Sequence, residues 1–136
     1  MEVLGLRLGL PIKELEVIDG DTLKVTVTLE EYIRLSGIDA PELHHSDQRA
    51  AAEVVGLAVK KWISWQETVA INPLRYDKYG QRLDCVVLGT DSHEGVYSLA
   101  SWLIQEKLVH AYDGGAKQPW TFGELVRIAA RREEFT

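Results

Sequence analysis

Three acidic residues stand where a turn or a strand end presents side chains to solvent. Asp21 closes a DGD turn signal at the start of an alternating run, and Asp39 and Glu42 follow the extended run 32–39. The start of one antiparallel strand lies beside the end of its partner, so a hairpin of residues 17–29 and 32–39 brings Asp21 close to Asp39. Two carboxylates with backbone carbonyls and waters suit a hard cation such as Ca²⁺, which takes about six to eight oxygen ligands.

Arg34 lies in the second of these strands and offers a planar guanidinium that binds phosphate through paired hydrogen bonds. A divalent ion and a guanidinium neutralise charge on phosphorus, and a free carboxylate such as Glu42 orients or deprotonates water. Together they predict phosphodiester hydrolysis. The structural alternative is that Asp-Gly is a common turn, Pro-Glu a common strand exit and Arg34 part of a solvated face.

The elements that position these residues follow from hydrophobic periodicity. Apolar residues alternate from Leu23 to Leu29, which predicts a half-buried strand, and further strands are expected at 68–71 and 82–88, with a YDKYG turn between them. A helix capped by Ser46 or Asp47 is expected after the second extended run. Its inward positions are Ala51, Val54, Val55, Ala58, Trp62 and Trp65.

Two further helices are predicted near the C-terminus. One spans about residues 98–105, with Leu99, Trp102 and Leu103 inward. The last begins at Thr121, where Thr121 and Glu124 match a capping box and Trp120 with Leu125 a hydrophobic staple. The run 131–134 is expected to be a solvated charged end.

The composition indicates one globular domain, residues 1–136. The chain is 46% apolar and 26% charged, which excludes a disordered or collagen-like chain. Its net charge of −6 provides no overall positive field for polyanions, so binding to nucleic acid requires a local basic site or a metal. The single cysteine, Cys85, excludes an intramolecular disulfide and is expected to be a buried packing thiol.

The order of elements predicts an α+β fold that is mainly a β barrel: a five-stranded OB-fold barrel with about three helices. The N-terminus lacks the basic start and long apolar run of a signal peptide, and no window has the ~18 apolar residues of a membrane span. We therefore expect a soluble protein without a membrane partner. The cytoplasm and a monomer are the default expectations.

Three segments in series, VIDGDTLKV, IRLSGIDAPE and RYDKYGQRL, resemble the signature segments of the staphylococcal nuclease (thermonuclease) family. The later LVHAY segment and the terminal helix also match, so the resemblance covers about residues 15–132. It implies an OB barrel with a Ca²⁺-dependent phosphodiesterase site. Such a site cleaves DNA or RNA, single-stranded or frayed, with little sequence preference and leaves 3′-phosphate ends.

The resemblance also implies roles for individual residues. Asp21 and Asp39 match the calcium ligands, and the Ala40 carbonyl matches a third. Glu42 matches the carboxylate that acts on water, and Arg34 matches the phosphate-binding arginine.

Residues expected to contact the nucleotide are Lys78 and Tyr79, in the DKYG turn, and Tyr112, which matches the aromatic residue near the base. One departure concerns catalysis. An arginine follows the DKYG glycine in the family and stabilises the transition state, but here Gln81 follows and the arginine comes one position later, at Arg82. Neighbouring side chains of an extended chain point to opposite faces, so Arg82 serves as the second cation only if a bulge restores its direction.

These departures support an alternative function. Gln81 favours an inactive OB module that binds single-stranded nucleic acid or a protein partner. The acidic total and the lack of a lysine-rich loop after Glu42 indicate weaker affinity for nucleic acid, and the acidic charge also supports a domain that binds a protein partner without nucleic acid. Lys107 also stands where the family usually has glycine after a helix, which concerns the fold more than the chemistry.

Two other groups of residues have a structural and a functional interpretation. His44 and His45, with Asp39 or Asp47, suggest a transition-metal site, but adjacent histidines seldom chelate one ion and we favour a polar loop. The four tryptophans are expected to pack in the core before they serve as stacking platforms. They are Trp62, Trp65, Trp102 and Trp120.

Overall fold

The computed structural model describes residues 2–3, 6–7, 12–28, 30–76, 80, 82–91 and 95–136. Helices and short strands are both present, which confirms the α+β class. The strands are β1 (Glu2–Val3), β2 (Leu6–Arg7), β3 (Ile12–Asp19), β4 (Thr22–Val27), β5 (Ile33–Leu35), β6 (Ile38–Asp39), β7 (Thr68–Tyr76), β8 (Leu83–Asp91), β9 (Gly95–Ser98) and β10 (His110–Ala111). The helices are α1 (Arg49–Ser64), α2 (Leu99–Gln105), α3 (Phe122–Ala129) and a terminal 3₁₀ helix (Arg132–Phe135).

The chain divides into two compact units. The first consists of Met1–Arg34 with Pro73–Asp84, and the second of Leu35–Asn72 with Cys85–Thr136. Within the described residues the strands form four small sheets, namely β1–β2, β3–β4, β6–β10 and a sheet ordered β5–β8–β7 in which β9 also pairs with β8. These described strands do not close a barrel.

In the first unit, β3 and β4 form an antiparallel hairpin around the Gly20-Asp21 turn. Among the described residues, the predicted pairing of 17–29 with 32–39 is wrong: β4 pairs with β3, whereas β5 pairs with β8 and β6 with β10. The turn itself is confirmed, because β4 begins directly after Asp21. The register was not predictable from alternation alone, since an alternating strand fits any partner that offers a matching apolar face.

The apolar side chains of this hairpin are exposed. Leu15 lies opposite Val25 and Val17 opposite Leu23, and these four side chains are 47–63% exposed. The expectation that the alternating strand is half-buried is not met by β4 in this structure.

The core of the second unit forms around α1, which contacts α3 and the 3₁₀ helix. Its inward positions follow the predicted spacing as far as Trp62, which is 1% exposed, whereas Trp65 ends the helix and is 52% exposed. The predicted caps are wrong, because Gln48 holds the N-cap position without a side-chain cap bond. Its Oε1 instead accepts a hydrogen bond from the Glu42 N–H at 2.9 Å.

The two later helices begin as predicted. The Ser98 hydroxyl caps α2 by accepting from the Ser101 N–H at 3.0 Å, and Leu99 and Leu103 are buried. At α3 both bonds of the capping box are present between Thr121 and Glu124. Each cap joins residues three positions apart, so the local sequence is sufficient to specify it.

The charged C-terminal run is not simply solvated. Arg131 donates hydrogen bonds to the Glu106 and Glu134 carboxylates at 2.7 and 2.8 Å and to the Glu106 carbonyl at 2.8 Å. The bonds to Glu134 and Glu106 raise the pKa of Arg131 above its ordinary value. The Phe135 side chain next to this network is buried. The expectation that residues 131–134 form a solvated charged end is therefore wrong for Arg131, whose hydrogen bonds connect the C-terminal region to Glu106, the residue that follows α2.

Two other sequence expectations agree with the structure. Cys85 is buried on β8 together with Leu83 and Val87. Lys107 has a φ of 59°, the left-handed conformation that glycine adopts most readily after a helix. No helix in the described part of the chain is both long and apolar enough to cross a membrane.

Candidate functional site

Three of the predicted site residues line one cavity of about 280 Å³ in the second unit: Asp39, Ala40 and Glu42. They follow one another at the end of β6, where Pro41 is buried. Proline has no N–H to continue a ladder, so the chain leaves the sheet at this point and its side chains are free to face the cavity. His45, Gln48 and Lys117 complete much of the polar lining.

Asp39 is an acidic residue withdrawn from water. It is 8% exposed, and its backbone pairs with His110 in the β6–β10 ladder. Lys117 Nζ lies 3.4 Å from its Oδ1. A charged carboxylate at this depth needs a cation or hydrogen-bond donors, because burial alone disfavours the ionised form. Lys117 supplies such a charge, and sequence reasoning missed it because it lies in a loop without periodicity.

Glu42 is held by its own loop. Its Oε2 lies 3.2 Å from His44 Nε2 and 2.9 Å from His45 Nε2, and its backbone N–H donates to the Gln48 side chain. The His45 N–H donates to the Glu42 carbonyl at 3.3 Å. Both imidazoles approach the same carboxylate oxygen, Oε2. The two histidines contact Glu42 rather than the Asp39 or Asp47 partners considered from the sequence.

Tyr112 shares a second cavity, of about 410 Å³, with Asp39 and His110. Its N–H donates to the Gly37 carbonyl at 2.9 Å, and its hydroxyl donates to the Gly115 carbonyl at 2.8 Å. Lys117 Nζ lies 5.7 Å from the centre of its ring. Asp39 thus shares one cavity with the predicted site residues Ala40 and Glu42 and the other with Tyr112.

The remaining predicted residues belong to the first unit or lie outside the described residues. Asp21 is exposed in the β3–β4 turn, Arg34 is half-buried on β5, and Arg82 is exposed directly before β8. Lys78 and Tyr79, like Gln81, lie outside the described residues.

The Asp21 turn carries a second carboxylate, Asp19. Hydrogen bonding to the side chain of Asp21, and then to its backbone N–H, lowers the pKa of Asp19. The turn therefore presents a second acidic side chain beside Asp21. Sequence reasoning treated Asp19 as part of the turn signal only.

Glu124 contacts His110, one of the residues that line the second cavity. His110, whose side chain is 12% exposed, stacks on Trp120 at 3.7 Å between ring centres. His110 Nε2 lies 2.6 Å from Glu124 Oε2, and the other oxygen of Glu124 accepts the cap bond from the Thr121 N–H. The hydrogen bond from His110 is the largest cause that lowers the pKa of Glu124, followed by the bond from the Thr121 backbone. Glu124 thus joins the start of α3 to the strand that pairs with Asp39.

The depressed pKa of Glu124 predicts a pH-dependent stability. A folded-state pKa below that of the unfolded chain stabilises the fold above the unfolded value, about 4.3 for glutamate, and this contribution is lost as the pH falls through the folded value. We expect Glu124→Gln to lower the free energy of unfolding by about 1 kcal/mol at pH 7 and by much less at pH 3. Urea unfolding followed by tryptophan fluorescence measures both values.

The matched control is Glu133→Gln, at an exposed position of the same C-terminal region. It should change the stability little at either pH. An equal loss of stability for Glu124→Gln at pH 7 and pH 3 would contradict the assignment.

Comparison with known proteins gives no match to this chain among family models, curated proteins or solved structures.

Proposed function

We propose that this protein is a Ca²⁺-dependent phosphodiesterase that hydrolyses DNA or RNA with low sequence specificity and leaves 3′-phosphate ends. One observation carries the proposal: Asp39, Ala40 and Glu42 line the same cavity, in the order in which the thermonuclease-like segment presents them. A buried acid, a carbonyl and a more exposed acid side by side are a suitable set for metal binding and water activation.

The donors fit a hard cation. Asp39 offers carboxylate oxygens and Ala40 a carbonyl, and the proposal adds Asp21, by resemblance, as the third residue that holds Ca²⁺. When bound, Ca²⁺ would supply Lewis-acid stabilisation of negative charge on the phosphate. Lys117 competes for the same Asp39 oxygen and is displaced in this proposal.

Glu42 is the general base. Its Oε2 is engaged by His44 and His45, so Oε1 accepts the proton of the attacking water. The loop hydrogen bond from the Glu42 N–H to Gln48 holds the backbone of the base at the cavity.

The proposal assigns two arginines to the phosphate and three other residues to the nucleotide. Arg34 holds the phosphate and Arg82 is the second cation, while Lys78, Tyr79 and Tyr112 contact the nucleotide, as the resemblance implies. Lys117, once released from Asp39, is a further cation close to the Tyr112 ring.

We also propose that the strands belong to a five-stranded OB-fold barrel. The opposed pairs Leu15–Val25 and Val17–Leu23 place four apolar side chains on one face of the hairpin. An antiparallel sheet normally buries such a face and leaves the other to water, and a barrel interior would bury it.

The function is tested by incubating the purified protein with single-stranded DNA or RNA of mixed sequence, in Ca²⁺ and in chelator. We expect cleavage in Ca²⁺ only, with products whose 3′ ends carry phosphate. Binding without cleavage in Ca²⁺ would instead support the alternative, an inactive OB module for single-stranded nucleic acid or a protein partner. If the protein neither cleaves nor binds the nucleic acid, both proposed functions on nucleic acid are excluded.

Gln81 provides a second test of the catalytic proposal. If Gln81 leaves the transition state short of one cation, Gln81→Arg should raise kcat by about 10²-fold, because a charge-stabilising donor is typically worth ~10²–10³ in rate. Single-turnover cleavage in saturating Ca²⁺ measures the effect. An unchanged rate in Gln81→Arg, together with a large loss in Arg82→Ala, would assign the role to Arg82 and contradict attenuation.

A further inference from the structure

We propose that Glu42, His44 and His45 form a binding site for a borderline transition-metal ion such as Zn²⁺, and that occupancy of this site inhibits the enzyme. The inhibitory part rests on the proposed function, whereas the metal site does not. The three ligand atoms, one from each side chain, lie within 4.8 Å of one another.

The distances already approach those of a coordination shell. Ligand atoms held about 2.0–2.2 Å from a tetrahedral Zn²⁺ lie roughly 3.3–3.5 Å apart. Glu42 Oε2 lies 3.2 Å from His44 Nε2 and 2.9 Å from His45 Nε2. A small outward movement of these exposed side chains would admit the ion. The contacts of each Nε2 with the carboxylate oxygen need a proton on Nε2. When the ion binds, each imidazole gives up that proton to solvent and stays neutral with its proton on Nδ1, so that Nε2 offers its lone pair to the metal.

Adjacent histidines rarely chelate one ion, because consecutive side chains usually diverge. Here the loop brings them together: the two rings are 4.4 Å apart at an angle of 37°, and both Nε2 atoms point to one carboxylate oxygen. The loop is closed by two backbone hydrogen bonds, from the His45 N–H to Glu42 and from the Gln48 N–H to His45. The ligand atoms are therefore held near one another before any ion binds.

The donor set separates this site from the proposed calcium site. Two imidazoles and one carboxylate suit Zn²⁺, Cu²⁺ or Ni²⁺, whereas Ca²⁺ prefers oxygen ligands such as those of Asp39 and Ala40. Both sites border the same cavity, which Glu42 and His45 line. A Zn²⁺ ion coordinated by Glu42 would remove the base from water activation without occupying Asp39.

The metal site is tested by titrating Zn²⁺ into the full chain against a chromophoric chelator. His44→Gln and His45→Gln should each weaken Zn²⁺ binding by about tenfold or more, since even loss of a residue that only supports a ligand costs ~10- to 100-fold. The matched control is Asp47→Asn, an exposed acid of the same loop, whose affinity should equal that of the wild type. Equal affinity in the His44→Gln/His45→Gln double variant and the wild type would overturn the site.

Cu²⁺ provides a spectroscopic readout that does not depend on activity. The electron paramagnetic resonance spectrum should show coupling to two histidine nitrogens in the wild type and to one in each single variant. A spectrum that does not change in the double variant would overturn the site as well.

The regulatory part is tested by Zn²⁺ inhibition of Ca²⁺-dependent cleavage, with each variant compared with its own rate without Zn²⁺. We expect inhibition in the wild type and loss of most of it in the double variant. Zn²⁺ that binds through the histidines yet leaves the wild-type rate unchanged would overturn the regulation. A protein that never cleaves nucleic acid but binds Zn²⁺ through both histidines contradicts the proposed function and supports the metal site.

Discussion

Glu42→Gln should lower kcat for Ca²⁺-dependent cleavage of single-stranded DNA by about 10²–10⁴-fold, the usual contribution of a positioned general base. Glutamine keeps the size of the side chain but cannot accept the proton of the attacking water. The backbone bond to Gln48 remains, so the loop should keep its course. Because the calcium ligands are assigned to other residues, Ca²⁺-dependent binding of the DNA should remain close to that of the wild type.

Asp47→Asn is the control for this variant, since it removes a negative charge from the same loop at an exposed position outside the cavity lining. It should retain nearly full activity. Quench-flow or gel-based single-turnover rates at saturating Ca²⁺ measure both variants. A Glu42→Gln rate within about twofold of the wild type would exclude Glu42 as the base, given the size of the expected effect.

The second large effect concerns stability. Trp62→Ala should lower the free energy of unfolding by about 3–5 kcal/mol, because the change leaves a cavity in a closed core. Trp62 is buried on α1 and packs edge-on against Tyr97, with 5.9 Å between the ring centres. A loss of this size is a large fraction of the stability of a typical domain. Chemical unfolding followed by circular dichroism measures it.

Trp65→Ala is the matched control, since it removes the same side chain one turn later at an exposed position. Trp65 forms a T-shaped pair with Trp102, with 5.7 Å between the ring centres, and its loss should cost less than about 1.5 kcal/mol, the scale of one aromatic pair. Equal losses for the two variants would show that both tryptophans are buried in solution. That outcome would contradict the arrangement of α1 described above.

The comparison of these two tryptophans shows how far the periodic pattern of α1 extends. Three-four spacing treats Trp62 and Trp65 alike, and it correctly identifies the buried face as far as Trp62. The spacing does not predict the residue at which the helix ends. Helix α1 ends at Ser64, so Trp65 no longer lies on its inward face.

In the candidate site, too, some residues were predictable from the sequence and others only from the structure. The GIDAPE segment places Asp39, Ala40 and Glu42 within four residues of one another, and the structure brings all three to one cavity. Lys117 and Tyr112 reach Asp39 only through the β6–β10 ladder and the loop that follows it. No spacing in the sequence predicts the charge of Lys117 beside Asp39, because that contact depends on a strand pairing between distant parts of the chain.

Local sequence was sufficient for the α+β class, for the start of α2, for the cap of α3, for the Gly20-Asp21 turn and for the short acidic segment after β6. These features depend on hydrogen bonds and sterics among residues a few positions apart, which any chain of this sequence carries with it. Tertiary structure decided the partners of β4, β5 and β6, the burial of Trp62 over Trp65, and the ion pair of Asp39 with Lys117. An alternating strand or a single buried charge accepts many partners, and only the folded chain selects which of them lies within reach.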